Sequence, residues 1–137
     1  MRIVLDSNIM YSAAVSPEGT PAVVVDHLLS GDDVIILSKP MLKRFRKVLQ
    51  RPYAKSRLTS SQRLRILMRY GWLATLYDPD ESITGIADDA EDDIVLGTAV
   101  AGKADVIVTG DKGLLALHPF RGIAILTAWE FLDLIDT

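Results

Sequence analysis

Apolar and polar positions along the chain fall into two alternating regimes. Ile3-Val4-Leu5, Val34-Ile35-Ile36-Leu37, Val106-Ile107-Val108 and Ile123-Ala124-Ile125-Leu126 are short apolar runs with no polar face. Such runs suit strands buried on both sides, as in a parallel sheet covered by helices. Between them the apolar residues recur at helical spacing. A first helix is predicted from Ile9 to Val15, broken by Ser16-Pro17-Glu18-Gly19. Thr20 then reads as a cap, with Pro21 in the first turn of a helix that carries Val24, Val25, Leu28 and Leu29 as far as Gly31. His27 lies on or beside that apolar face and reads as a packed helix residue. Ser38 reads as the cap of a third helix, with Pro40 in its first turn and Met41, Leu42, Phe45, Val48 and Leu49 on one arc, ended by Arg51-Pro52-Tyr53.

Further along, the Thr59-Ser60-Ser61 cluster opens a helix through Leu64, Leu67 and Met68 toward Trp72 and Leu76. Residues 77–86, with Pro79 and Gly85, read as a connection with at most a short strand. A helix is expected from about Asp92 to Ala101, and a short helical turn from Lys112 to Leu117, closed by His118-Pro119. Thr127 caps a terminal helix with Trp129, Phe131, Leu132 and Ile135 on its apolar side. Strands and helices in alternation, without repeats or low-complexity tracts, predict a single domain over residues 1–137. Its expected class is α/β, a three-layer α/β/α sandwich with a central parallel sheet.

Composition narrows the function classes. With 137 residues, 49% hydrophobic and 24% charged, the chain has the balance of a soluble globular domain with a real core. No apolar run approaches the roughly 20 residues of a membrane span, and the N-terminus enters a strand directly without a signal-peptide pattern, so a cytoplasmic protein is expected. The absence of cysteine excludes disulfides and thiolate metal sites, and His27 and His118 stand too far apart to suggest a zinc pattern. Any metal must be held by oxygen ligands, which favours magnesium or manganese.

The net charge of −3 conceals a segregation. Eleven of the 15 Lys and Arg residues fall between positions 39 and 69 and none of the 18 Asp and Glu does, so that window carries +11 and the remainder −14. One face suited to a phosphate backbone and one acidic site suited to cations can therefore coexist in one domain. A solvated helical surface is the plainer alternative, and the complete absence of acids from the window argues against it.

The acids sit where strands end. Asp6 follows Ile3-Val4-Leu5, and Asp111 follows Val106-Ile107-Val108-Thr109-Gly110. If both strands are central and parallel, the two carboxylates emerge on the same edge of the sheet, outside the carboxyl ends of the strands where open α/β sheets bind ligands. A third cluster, Asp88-Asp89-Ala90-Glu91-Asp92-Asp93, precedes a helix. Acids there complement the helix dipole in any protein, but Asp92 shares a face with Val95, Leu96 and Ala99 and so turns toward the sheet. Carboxylates gathered in this way need a cation or a raised pKa.

With these motifs in hand, the chain resembles the PIN-domain family, and more narrowly its VapC-type members, the toxin ribonucleases of toxin–antitoxin pairs. The resemblance spans essentially the whole chain. It rests on Ile3-Val4-Leu5-Asp6-Ser7-Asn8, on Asp89-Ala90-Glu91-Asp92-Asp93-Ile94-Val95-Leu96, on Val106-Ile107-Val108-Thr109-Gly110-Asp111 with Leu114-Leu115, and on Ile125-Leu126-Thr127 with Glu130-Phe131-Leu132, in that order. It implies a Mg2+- or Mn2+-dependent ribonuclease, with Asp6, Asp92 and Asp111 as the metal-binding and catalytic acids. Asn8, Asp89 and Thr109 would orient them through hydrogen bonds. Lys43, Arg44, Lys47 and Arg51 would hold the nucleic acid. RNA as substrate and a cognate antitoxin inserted across the acidic cleft or its rim are implied as partners, and a homodimer is compatible with the pattern.

One position departs from the family. Aligned from Ser38 through Leu42 to Val48-Leu49, Arg44 stands where the family pattern has a glutamate that completes the acidic site. A guanidinium there removes an oxygen ligand and adds a charge that repels a dication. Three consequences are open. Metal binding could be weakened, with the chain a degenerate PIN domain that binds RNA or a protein partner without cleaving; Arg44 could pair with Asp6 or Asp92; or another acid, Glu91 or Asp93, could complete the shell. A small-molecule phosphatase on a similar sheet is disfavoured, because the basic window is far larger than a small anion requires.

Overall fold

The computed structural model describes residues 1–136. Five parallel strands lie in the order β3-β2-β1-β4-β5, formed by β1 (Arg2–Leu5), β2 (Val34–Leu37), β3 (Thr75–Leu76), β4 (Val106–Val108) and β5 (Ala124–Leu126). The described helices are α1 (Ser7–Val15), α2 (Thr20–Ser30), α3 (Lys39–Val48), α4 (Pro52–Arg57), α5 (Ser60–Leu73), α6 (Ala90–Ala101), α7 (Lys112–Leu115) and α8 (Ala128–Ile135). This is the expected three-layer α/β/α sandwich around a parallel sheet.

Burial explains the layering. Ile3, Val4 and Leu5 are each fully buried, and so are Ile107 and Val108. Successive strand residues point to opposite faces, so burial of all of them requires helices on both sides. The chain builds outward from β1 to β2 and β3 on one flank, then returns for β4 and β5 on the other. That reversal makes the boundary between β1 and β4 a topological switch point, where helices after adjacent strands diverge and leave a crevice. Leu5 pairs with Val108, and the Asp6 N–H donates to the Val108 carbonyl at 3.0 Å, so Asp6 and Thr109 leave the sheet side by side.

Several boundaries differ from the sequence reading. Helix α1 starts at Ser7 rather than Ile9, with Asp6 as its N-cap. Gly19, not Thr20, is the N-cap of α2. Arg51-Pro52 ends one helix and begins another, because proline suits a first helical turn and Arg51 takes the extended cap conformation at ψ 147°. The short strand falls at Thr75–Leu76, before residues 77–86, and ends the preceding helix earlier than expected. Helix α6 begins at Ala90, with Asp89 as its cap. Thr59 and Thr127 both form capping boxes, with Gln62 and Glu130.

Four expected apolar positions, on two helices, are on the surface. Trp129 is 74% exposed, since α8 turns Ala128 and Phe131 inward instead. On α5 the buried residue is Tyr70, whose ring meets Phe45 edge-on at 5.4 Å, and this phase leaves Leu64, Met68 and Trp72 exposed in a row. His27 is likewise a surface residue, beside Asp33 at 3.6 Å and edge-on to Phe131.

Ser38 sits at the N-cap of α3, yet its side chain caps nothing. It is fully buried and accepts a hydrogen bond from the Thr98 hydroxyl of α6 at 2.9 Å. This buried contact ties the start of α3 to the middle of α6, the two helices whose exposed flanks face each other above the sheet edge.

Candidate active site

Asp6 is 4% exposed. Its Oδ2 accepts a hydrogen bond from the Thr109 hydroxyl at 2.7 Å, and the Thr109 oxygen accepts in turn from the Asp111 N–H at 3.0 Å. Thr109 is itself fully buried, so this one side chain at the end of β4 links the acid of β1 to the backbone of the acid after β4. Burial is the largest influence on Asp6 and raises its pKa against the hydrogen bonds from Thr109 and the Ser7 backbone and the nearby Arg44 charge. A buried carboxylate with a raised pKa holds its negative charge at a cost, which a cation would relieve.

Asp92 and Asp111 meet directly. Asp111 caps α7 through its Oδ1, which accepts from the Gly113 N–H at 3.0 Å. A Cβ placed on Gly113 would stand 3.5 Å from Asp111 Oδ1 and 3.8 Å from Asp92 Oδ2, so both carboxyls border the same small space. Partial burial, a hydrogen bond to Asp111 and the Asp111 and Asp6 charges push Asp92 up to about 7. Asp111 is held below the usual carboxylate range, chiefly by that same hydrogen bond. The two carboxyls therefore titrate as a pair, which resists losing its last proton until about pH 7.

This pairing has a measurable consequence for stability. Folding raises the Asp92 pKa, so the native state keeps a proton that the unfolded chain releases, and the contribution is full below the ordinary aspartate range and lost as pH rises through about 7. In EDTA the melting temperature should fall between about pH 5 and about pH 7, and Asp92→Asn, which stays neutral, should flatten that fall. A wild-type melting temperature that is level or rises over this interval would refute the paired titration.

The remaining acids of the block are differently employed. Asp89 caps α6 by accepting from the Glu91 N–H at 2.9 Å, and adds to the negative field at Asp92. Asp93 accepts from the N–H groups of Gly85, Ile86 and Ala87 at 2.9, 3.2 and 2.8 Å, so it holds the loop before α6. Asn8 is exposed, and its side chain makes no hydrogen bond among the described residues. Its neighbour Ser7, buried, takes the orienting place: its hydroxyl lies 3.5 Å from Asp6 Oδ1 and accepts from Arg44 Nε at 3.1 Å. Sequence reasoning passed over Ser7, although its position directly after the strand-tip acid was the available signal.

Arg44 points into the cleft. Its Nε reaches Ser7, and its guanidinium forms an ion pair with Glu91 at the start of α6. The pairing with Asp6 or Asp92 considered from sequence is not a direct contact. Asp6, Ser7, Met41, Arg44, Glu91 and Asp92 border a pocket of about 60 Å3. Of the other basic candidates, Lys43 lines a groove between α3 and α5, Lys47 is exposed, and Arg51 stacks over the Tyr11 ring at 5.7 Å.

Asp6 and Asp92 border this pocket with Asp111 beside Asp92, and carboxylate oxygens suit a hard divalent cation, whereas the Arg44 guanidinium in the same lining opposes one. No group of three or more His, Cys, Asp or Glu among the described residues is arranged to hold a metal ion. Asp6 is turned to Thr109, and Asp92 and Asp111 border the space at Gly113.

A parallel α/β sandwich with carboxylates gathered at its switch point defines a class of protein, one that presents an acidic cleft to a ligand at the strand tips. Residues 2–113 match the family model described as "PIN domain", and the chain belongs to that family. The chain is 27% identical over 119 residues to the uncharacterized protein MJ1680 of Methanocaldococcus jannaschii, covering 86% of this chain and 76% of that one. Among solved structures, VapBC2 from Rickettsia felis, bound to a DNA fragment from its promoter, gives a TM-score of 0.63 at 14% identity, covering 91% of this chain and 97% of that one. FitAcB from Neisseria gonorrhoeae gives 0.62 at 22% identity, covering 93% and 98%. These likenesses extend the shared fold over nearly the full length of both chains.

Proposed function

We propose that this chain is a divalent-metal-dependent ribonuclease of the VapC type, the toxin half of a toxin–antitoxin pair. The observation that carries the reading is the meeting of Asp92 with Asp111 beside buried Asp6, at the switch point of a PIN-domain sheet. Mg2+ or Mn2+ held by these three acids would supply Lewis-acid polarisation of the phosphodiester and a bound water of lowered pKa. Asp6 is kept in one orientation by Thr109 and Ser7. Asp92 and Asp111 would hold the cation as carboxylates, so metal affinity would rise with pH as the pair ionises. Neither histidine can serve as base: His27 lies beside Asp33 at the surface, and His118 Nδ1 accepts from the Ile125 N–H at 2.9 Å. A pocket of about 60 Å3 is too small to enclose a nucleotide, so the substrate lies across its mouth. This argues against a small-molecule phosphatase.

The basic window supports a polyanionic substrate. It wraps α3, α4 and α5, and among Lys43, Arg44, Lys47 and Arg51 only Arg44 enters the cleft, which suits a strand that runs over the helices and dips once into the site. RNA affinity should fall steeply with salt, and neutralising Lys43, Lys47 and Arg51 together should flatten the log–log slope by about 2 to 3. An unchanged slope would assign the window to a solvated surface or a protein interface.

A cognate antitoxin belongs to this reading through the VapC-type resemblance, and the exposed Leu64, Met68 and Trp72 row offers an apolar surface outside the cleft. No helix among the described residues is long and apolar enough to cross a membrane, and the reading places the protein in the cytoplasm. A second reading, a PIN domain that binds RNA without cleaving it, is favoured by one observation: a guanidinium stands in the cleft. Cleavage of a labelled single-stranded RNA with Mn2+, stopped by EDTA, separates the two. Binding without cleavage would establish the second.

A further inference from the structure

The four acids at the start of α6 are not equivalent. Asp89 caps the helix, Asp93 holds the loop before it, and Asp92 faces Asp111 across Gly113. Glu91 alone has a cation as partner, the guanidinium of Arg44. Its side chain is 50% exposed and that of Arg44 33%, so the pair spans the mouth of the pocket rather than its floor.

We infer that Arg44 is a phosphate-holding residue parked on Glu91, and that the Glu91 carboxylate competes with an RNA backbone phosphate for its guanidinium. The inference rests on the nuclease reading above and deepens it. Three features support it. Ser7, buried against Asp6, accepts from Arg44 Nε and so fixes the guanidinium beside the acid without using its terminal nitrogens. The second terminal nitrogen has no acceptor among the described residues, which leaves N–H donors in the planar fork that matches phosphate oxygens. The Glu91 side chain is half in water, where an ion pair is weakly held, so a backbone phosphodiester, equal to it in charge and in acceptor oxygens and held by the strand's other contacts to the basic helices, can displace it.

The framework around the pair does not depend on the pair. Ser38 and Thr98 tie α3 to α6 through a buried hydrogen bond, so the two side chains face each other whether or not they touch. Arg44 therefore takes a role different from that of the acid it replaces: it brings a positive charge to the one place where a backbone phosphate must pass between carboxylates. Glu91 regulates that charge by occupying it.

The test is a double-mutant cycle read by fluorescence anisotropy of a labelled single-stranded RNA in EDTA, where nothing is cleaved. Arg44→Gln should weaken binding about tenfold and lower the salt slope by about 1. Glu91→Gln should tighten binding about threefold in the wild-type background and leave the Arg44→Gln protein almost unchanged, since coupling disappears once its partner is gone. Melting curves of all four proteins report folding. Equal tightening by Glu91→Gln in both backgrounds would make Glu91 a general negative charge and overturn the inference, as would an Arg44→Gln protein that binds RNA as the wild type does. Cleavage of the same RNA with Mn2+ reports separately on the nuclease reading, so either can fail alone.

Discussion

Asp111→Asn and Asp92→Asn should each abolish Mn2+-dependent RNA cleavage, with a rate loss of about a thousandfold or more, since charge stabilisation by a bound cation is worth several kcal/mol. Both variants should fold. Asparagine at 92 reproduces the neutral form that the native state already favours, and asparagine at 111 removes one of two facing charges. Thr109→Val should act more mildly, by about ten- to a hundredfold, because it frees Asp6 to rotate without removing a ligand. The measurement is single-turnover cleavage of a labelled RNA alongside a Mn2+ titration by calorimetry. Full activity in either Asn variant would dismiss the three-acid site.

Arg44→Glu should tighten Mn2+ binding by about tenfold or more, because it exchanges a repelling cation for an oxygen ligand beside a dication. The structure adds a second signature. The new glutamate would face Glu91, whose present partner it removes, so the variant should melt lower than wild type in EDTA and gain more from saturating Mn2+. Its RNA affinity in EDTA should fall, since the phosphate-holding charge is gone. Equal Mn2+ affinities in the two proteins would show that position 44 lies outside the reach of the ion.

The two variants together separate the activity readings. A wild type that cleaves slowly and an Arg44→Glu protein that cleaves faster would mark Arg44 as a restraint on metal binding. A wild type that cleaves well and an Arg44→Glu protein that cleaves poorly would mark it as part of the substrate grip. Ser7 bears on both, because its hydroxyl lies beside Asp6 on one side and accepts from Arg44 on the other.

Much of this molecule is written in local pattern. Ile3-Val4-Leu5 and Val106-Ile107-Val108 have no polar face, and that alone requires strands covered on both sides, hence a parallel sheet with two helical layers. An acid directly after the first run, and another past Thr109-Gly110 after the second, land on the same sheet edge once the strands are parallel and adjacent, which is how Asp6 and Asp111 could be named together. The helical phase of Asp92 with Val95 and Leu96 turned it inward for the same reason: periodicity reports direction relative to the core. The basic window was equally plain, because charge is additive along a chain.

What periodicity does not carry is which side chain meets which across elements. The partner of Arg44 depends on the rotation of α3 against α6, which a buried Ser38–Thr98 hydrogen bond determines and no spacing reveals. Asp93 and Asp92 are neighbours in sequence but point about 100° apart on the helix, so one holds a loop while the other meets Asp111. Asn8 and Ser7 divide in the same way at the start of α1, where only Ser7 is buried. Trp129 and Trp72 are apolar by composition, yet the helices that carry them bury Phe131 and Tyr70 instead, because a helix has one inward arc and packing chooses its phase. The sequence by itself determined the sheet, its edge and the acids delivered there; the tertiary structure decided their partners, since these contacts join residues far apart in the chain through rotations that local pattern leaves free.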